Sequence, residues 1–253
     1  MIRRKVMLVG VLLVAAVAVA GCDPGGDAKS EPPAAADPLA QVRAAAVKTA
    51  GAPSHVTLGA SGVKVIGDVD PAGRALALTT TTSVDGETTK ALVRVVGDDA
   101  WMTLGKTYLP NLDPTKYIRF PVSEFASASL VHLGDPFDPA GLKGLSAAMT
   151  AATRTAEGTY TGKLDLTEAP AGESRGLLPA TAEQLEGTGG VIQSVPYEAS
   201  VDGQGYLTSL TVTLPTYAST AEFSGFGQAV KVAQPAAAEV AEVPDSMRRL
   251  LAG

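Results

Sequence analysis

The residues able to do chemistry are few and scattered. Cys22 is the one cysteine in 253 residues and closes the run Val19-Ala20-Gly21-Cys22. Ser61 and Lys64 match the S-x-x-K spacing in which a lysine activates a serine at a helix start, but they fall in a turn-to-strand stretch. No S-D-N or K-T-G partner accompanies them. His55 and His132 stand far apart without the paired spacing of a zinc site. Asp68, Asp70 and the Asp98-Asp99 pair fall at expected turns, where an aspartate bonds local backbone. A calcium loop would need more oxygens in close register. The expectation is therefore a protein that is not an enzyme and that uses no metal and no cofactor.

The flanks of Cys22 give that residue its chemistry. Arg3, Arg4 and Lys5 are followed by an almost wholly apolar run from Val6 to Val19, then by the small residues Ala20 and Gly21. The run is too short to span a bilayer comfortably. A basic head, an apolar stretch and a small-residue cleavage site make a secretory signal peptide. A branched apolar residue, two small residues and then cysteine resembles the bacterial lipobox. That resemblance implies a diacylglyceryl group on the Cys22 sulfur and cleavage between Gly21 and Cys22. One acyl chain holds a protein to a membrane only marginally, whereas two hold it stably, at about 0.8 kcal/mol per buried methylene. Lipidation consumes the only thiol, so the fold has no disulfide to rest on.

Charge narrows the partners. The formal net charge is −6, and setting aside the three bases of the signal leaves 26 acids against 17 bases. So acidic a chain lacks the basic footprint of a nucleic-acid binder. It also lacks the basic excess needed to dock electrostatically on anionic lipid, which leaves the holding to the acyl anchor. Aromatic residues make up only 5% of the chain and apolar residues 45%, so the core is aliphatic. After Cys22, "DPGGDAKSEPPAAAD" has no apolar periodicity and reads as a flexible tether with a root-mean-square reach on the order of 20 Å. The expected organisation is a signal peptide over 1–21, a lipidated cysteine and tether over 22–37, and a single domain over 38–253.

The body is read from periodicity. Asp37-Pro38 is a helix start, with an acceptor at the cap and proline at the first helical position; the helix ends at Gly51. Strand-like runs follow over 54–61, 62–70, 74–84 and 89–97, broken by Asp70-Pro71-Ala72-Gly73 and Asp85-Gly86. Short strands continue over 100–104, 106–109 and 116–120. The period then changes to helical over 123–133 and 138–152, the second with Asp138 as its cap. Strands return over 159–167, 195–202 and 205–215, with a short helix over 178–187 between them. A closing hairpin is expected over 219–235 and a last helix over 244–251. Alternation in the late strands places Leu164, Leu210 and Val212 on apolar faces, typical of a sheet wet on one side only. These three are candidate walls of a ligand cavity. Trp101 and Tyr108 lie near the middle of the meander and are candidates for lining the same cavity or for plain packing. The fold class is α+β, mainly β: a large curved antiparallel sheet whose apolar face needs cover, which a few helices supply in part.

Several stretches carry a family resemblance: "RVVGDDAWMTLGKTYL", "KYIRF", "GTYTGKLDLTEA", "YEASVDGQGYLTSLTVTLP" and "AEFSGFGQAVKVAQP". In order and spacing they resemble the LppX/LprA/LprF/LprG lipoproteins of actinobacteria, which share a fold with the LolA/LolB carriers. The resemblance runs over about residues 38 to 243 and contains no catalytic motif. It implies an open half-barrel with helices across its concave side and a hydrophobic cavity between. It further implies a hydrophobic ligand such as an acylated lipid or glycolipid, carried or chaperoned outward from the cytoplasmic membrane. The protein would then sit as a monomer on the outer face of the cell membrane, held by its lipid anchor, with an envelope transporter as a further partner. The other reading is a non-enzymatic envelope module that binds a protein partner, as a sensor or assembly factor does.

The lipobox reading makes one direct prediction. Cys22→Ala leaves the precursor uncut at Gly21 and abolishes incorporation of labelled fatty acid. Maturation at that bond with uptake of label would refute it.

Overall fold

The computed structural model describes residues 37–84, 86–103, 113–123, 135–168, 177–178 and 192–242. All belong to one compact unit that begins at Ala36. The expected helices over 123–133, 178–187 and 244–251 lie wholly or mostly outside the described residues, as do the 106–109 strand with Tyr108, and His132.

Helix α1 (Pro38–Ala50) starts as its sequence predicts: the Asp37 carboxylate accepts from the Leu39 N–H at 3.1 Å. An N-terminal meander follows, made of β1 (Ser54–Ala60), β2 (Val63–Asp70), β3 (Ala75–Val84), β4 (Glu87–Val96), β5 (Asp99–Met102) and β6 (Tyr117–Pro121). Its turns use the expected residues. Ser61 and Gly62 both take positive φ (40° and 81°), the pair of left-handed residues that a tight two-residue hairpin requires. This puts Ser61 in a turn and not at a helix start. Val84 stands opposite Glu87, the two-residue closure that the Asp-Gly spacing predicts.

Helix α2 (Leu142–Ala148) leads into the second meander: β7 (Met149–Ala156), β8 (Thr159–Leu164), β9 (Val195–Val201), β10 (Leu207–Thr213) and β11 (Ala218–Ser224). The last strand, β12 (Val240–Ala241), is two residues long. The sheet order is β12-β6-β5-β4-β3-β2-β1-β11-β10-β9-β8-β7, a curved sheet that does not close. Adjacent strands are antiparallel except for β12, which runs parallel to β6.

Two predicted elements are corrected here. The helix read over 138–152 begins only at Leu142, with Gly141 and not Asp138 at its N-cap, and stops at Ala148; the Ala-rich stretch from Met149 becomes the edge strand β7. Helix propensity is a weak preference, and pairing with β8 overrides it. Asp138 still serves α2, accepting the N–H groups of Leu142 and Lys143 at 2.9 Å each, and burial holds its carboxyl above the usual range despite those bonds. The closing hairpin over 219–235 provides only β11. Beyond Gly225 and Gly227, both with positive φ, the chain leaves the sheet and returns at its far edge as β12.

The register depends on a close approach in the second meander. Gly162 of β8 stands opposite Tyr197 of β9. The buried Tyr197 ring lies over the glycine, and its hydroxyl donates to the Ala151 carbonyl of the edge strand at 3.0 Å. A Cβ at Gly162 would fall 2.1 Å from that carbonyl and 2.5 Å from the ring. Gly162→Ala should therefore cost roughly 1–3 kcal/mol or more in denaturant unfolding. Burial pushes the Tyr197 phenol up to about 12, with Arg43 opposing. In the unfolded chain it ionises near 10. The stabilisation is thus complete below about pH 10 and is lost as pH rises from there through about 12. Tyr197→Phe should flatten the fall in unfolding free energy over that window; an unchanged alkaline profile would exclude this group as its source.

Candidate functional site: the apolar inner face

One face of the sheet is apolar over most of its width. Residues directly opposite one another on paired strands share a face. One row joins Gly67, Val56 and Phe223, and continues through Leu78, Val93, Met102 and Ile118. Another joins Val65, Leu58, Ala221, Leu210, Ala199 and Tyr160. Apart from Gly67, which is half-buried, every residue of the two rows is buried. Because the sheet is unclosed, this face has an edge on either side and must be covered by other parts of the chain.

Both described helices gather at one end. Helix α1 packs on α2, β7, β9 and β10, burying Val42, Ala45, Ala46, Thr49 and Ala50. Its inward alanines let the helix axis lie close to the strands. Three polar contacts fix it. Tyr160 donates its hydroxyl proton to Gln41 Oε1 at 2.6 Å, and Arg43 donates to the carbonyls of Met149 and Ala147. Thr49 Oγ1 accepts from the Leu207 N–H at 2.8 Å and faces the Leu207 carbonyl at 3.4 Å. At the helix end Lys48 lies 4.0 Å from the ring centre of Tyr206, which stacks on Phe226 at 4.3 Å.

The Thr49 contact meets a bulge. The β9–β10 register slips by one between Leu207 and Ser209. An extra residue reverses the alternation, so Leu207 joins Leu210 and Val212 among the buried residues. Strict alternation instead placed Tyr206 and Thr208 on the Leu210 side. No sequence signal marks the bulge.

Leu164, Leu210 and Val212, all fully buried, belong to this inner layer. Leu164 lies between Met149 and Val195, Leu210 between Ala199 and Ala221, and Val212 between Tyr197 and Ser219. Trp101 does not join them. Its strand neighbours Ala100 and Met102 point inward, whereas Trp101 sits between Arg94 and Arg119 on the opposite face. There it is 4% exposed, in a shallow groove of about 500 Å³ shared with Pro235 and Val240. The residue was one position out of phase for the inner face. Cys22 and Gly21 lie outside the described residues.

The remaining polar residues have local roles. Lys64 is on an exposed strand position, away from any helix start. His55 Nδ1 pairs with Asp68 Oδ1 at 2.8 Å, a contact between strands that linear spacing does not reveal. Arg74 pairs with Asp98 and Arg119 with Asp99, while Asp70 accepts from the Gly73 N–H. Among the described residues, no three His, Cys, Asp or Glu side chains converge on one point. No described helix is long and apolar enough to cross a membrane.

No protein-family model matches the sequence, and no curated protein does either. Solved structures do match the fold. LprF from Mycobacterium bovis is 14% identical with a TM-score of 0.50, over 78% of this chain and 96% of its own. The lipoprotein LppX of Mycobacterium tuberculosis is 18% identical with a TM-score of 0.45, over 77% of this chain and 97% of its own. The curved, unclosed, mainly β architecture is the fold of LprF, as the sequence resemblance implies.

The seating of α1 is open to direct test. Thr49→Val leaves the buried Leu207 N–H without its acceptor and should cost about 1–3 kcal/mol in denaturant unfolding at an unchanged m value. A neutral substitution would show that the bulge does not depend on the helix.

Proposed function

We propose that this protein is a lipid-anchored, extracytoplasmic carrier or chaperone that takes an acylated lipid or glycolipid against its inner face. The observation that carries the reading is the inner face itself. It is apolar from Ile118 to Leu164, it belongs to a sheet that does not close, and the two described helices pack at only one end of it. Acyl chains are the ligand such a surface suits. Removing apolar area from water contributes about 25 cal/mol per Å², against the cost of ordering the chain. The lipobox at Val19–Cys22 and the sequence resemblance to lipid-binding lipoproteins support the same reading. Cys22 carries the anchor, and the body works as a monomer on the outer membrane face, with cargo handed on to another envelope component.

Residues 38–253, purified without the anchor, should carry co-purifying lipid by native mass spectrometry and bind a fluorescent acyl probe. Leu210→Trp or Val212→Trp should reduce probe binding at least tenfold while the circular dichroism spectrum is kept. Thr211→Trp, on the other face of the same strand, should leave binding intact. If the two inner variants instead lose roughly 1–3 kcal/mol of stability and keep full probe affinity, these strands are closed core and not ligand wall. A parent protein with no lipid and no probe binding would favour the protein-partner module.

A further inference from the structure

The inner layer holds a polar feature that apolar packing does not explain. Among the described residues, the buried side-chain oxygens without a hydrogen-bond partner are Ser219 Oγ and Tyr217 Oη. Ser219 is fully buried. It stands opposite Val212 on one side and Ala60 on the other, and shares the inward phase of Ala221 and Phe223. Tyr217 lies two residues earlier, just ahead of β11, and packs against the same core. Its carbonyl closes the β10–β11 turn by accepting from the Leu214 N–H at 2.9 Å, so its place is set by the backbone. Four other buried polar side chains are satisfied: Thr49 and Thr103 accept backbone N–H groups, Asp138 accepts from the first turn of α2, and Ser146 donates to the Lys143 carbonyl.

Leaving a buried hydroxyl unpaired costs about 1–3 kcal/mol, and alanine or phenylalanine would fill either position without that cost. We propose that the Ser219 and Tyr217 hydroxyls donate to a neutral oxygen of the bound lipid, the carbonyl of an acyl ester, and so fix where the acyl chains begin along the inner face. This rests on the lipid-binding reading above. The chemistry of the donors selects the group. Both are neutral, and burial makes the Tyr217 phenol harder to ionise, which keeps it a donor. Their neighbours Ala60, Val212 and Leu214 carry no charge, so a phosphate or carboxylate would be buried there without a counter-ion. An ester carbonyl accepts two hydrogen bonds at far smaller desolvation cost.

The test compares two lipids of equal chain length, a fluorescent diacylglycerol and its dialkyl ether analogue, which lacks the carbonyls. Ser219→Ala and Tyr217→Phe should each weaken binding of the ester roughly three- to tenfold and leave binding of the ether unchanged. Without lipid, both variants should unfold at the same or a higher denaturant concentration than the parent. Equal loss for ester and ether, or undiminished ester binding, would overturn the proposal while leaving the lipid-binding reading intact. A clear loss of stability without lipid would also overturn it, since the hydroxyls would then have partners inside the protein. Failure of the parent to bind either lipid would remove the lipid-binding reading and this inference together.

Discussion

The sheet depends on the long-range antiparallel pairing of β1 with β11, which joins its two meanders. Within each meander, strands that neighbour in the sheet follow one another in sequence, so each could pair its own strands without the other. The six residue pairs from His55–Ser224 to Ala60–Ser219 join them. They bring the first strand of the body beside the last long one, across more than half of the chain. Closing so long a loop costs entropy before any contact compensates. The compensation is the merger of two apolar faces into one, with Val56 and Leu58 meeting Phe223 and Ala221 at the seam.

A merged face of that width sets the remaining problems. A single sheet has one side to hide and two edges to manage. At one edge, β7 is largely exposed and has two register irregularities in its pairing with β8, which blunt it as a template for other strands. At the other, the two-residue β12 partly covers β6. The chain reaches that position over the outer face, where Arg94 donates to the Ala233 carbonyl and Lys116 to the Ala238 carbonyl. This strap is why Trp101, although on the outer face, is buried.

The same constraint accounts for where polar groups enter the inner layer. Thr49 is there because the β10 bulge frees a backbone N–H that something must accept. Tyr197 is there because Gly162 leaves room for a ring, whose hydroxyl then reaches Ala151. Each polar group answers a local irregularity of the sheet. Ser219 and Tyr217 answer none, and that separates them from the structural polar residues.

Much of this was legible in the sequence. The Asp37-Pro38 helix start, the Ser61-Gly62 and Asp-Gly turns, and the alternation that buries Leu164, Leu210 and Val212 are local properties of side-chain shape and period. The proposal of a signal segment and a lipidated Cys22 likewise rests only on the order of residues along the chain. What tertiary structure alone decided involves partners distant in sequence. Met149–Ala156 is a strand because β8 offers it a ladder, although its composition favours helix. The bulge at Leu207 reverses the alternation, and the acceptor for its backbone N–H is Thr49, 158 residues away. Trp101 has the outward phase because Ala100 and Met102 take the inward one, and its burial comes from a C-terminal strap that no local pattern announces. The isolation of the Ser219 and Tyr217 hydroxyls is likewise invisible in sequence, since whether a polar group is satisfied depends on every neighbour that the fold brings within reach.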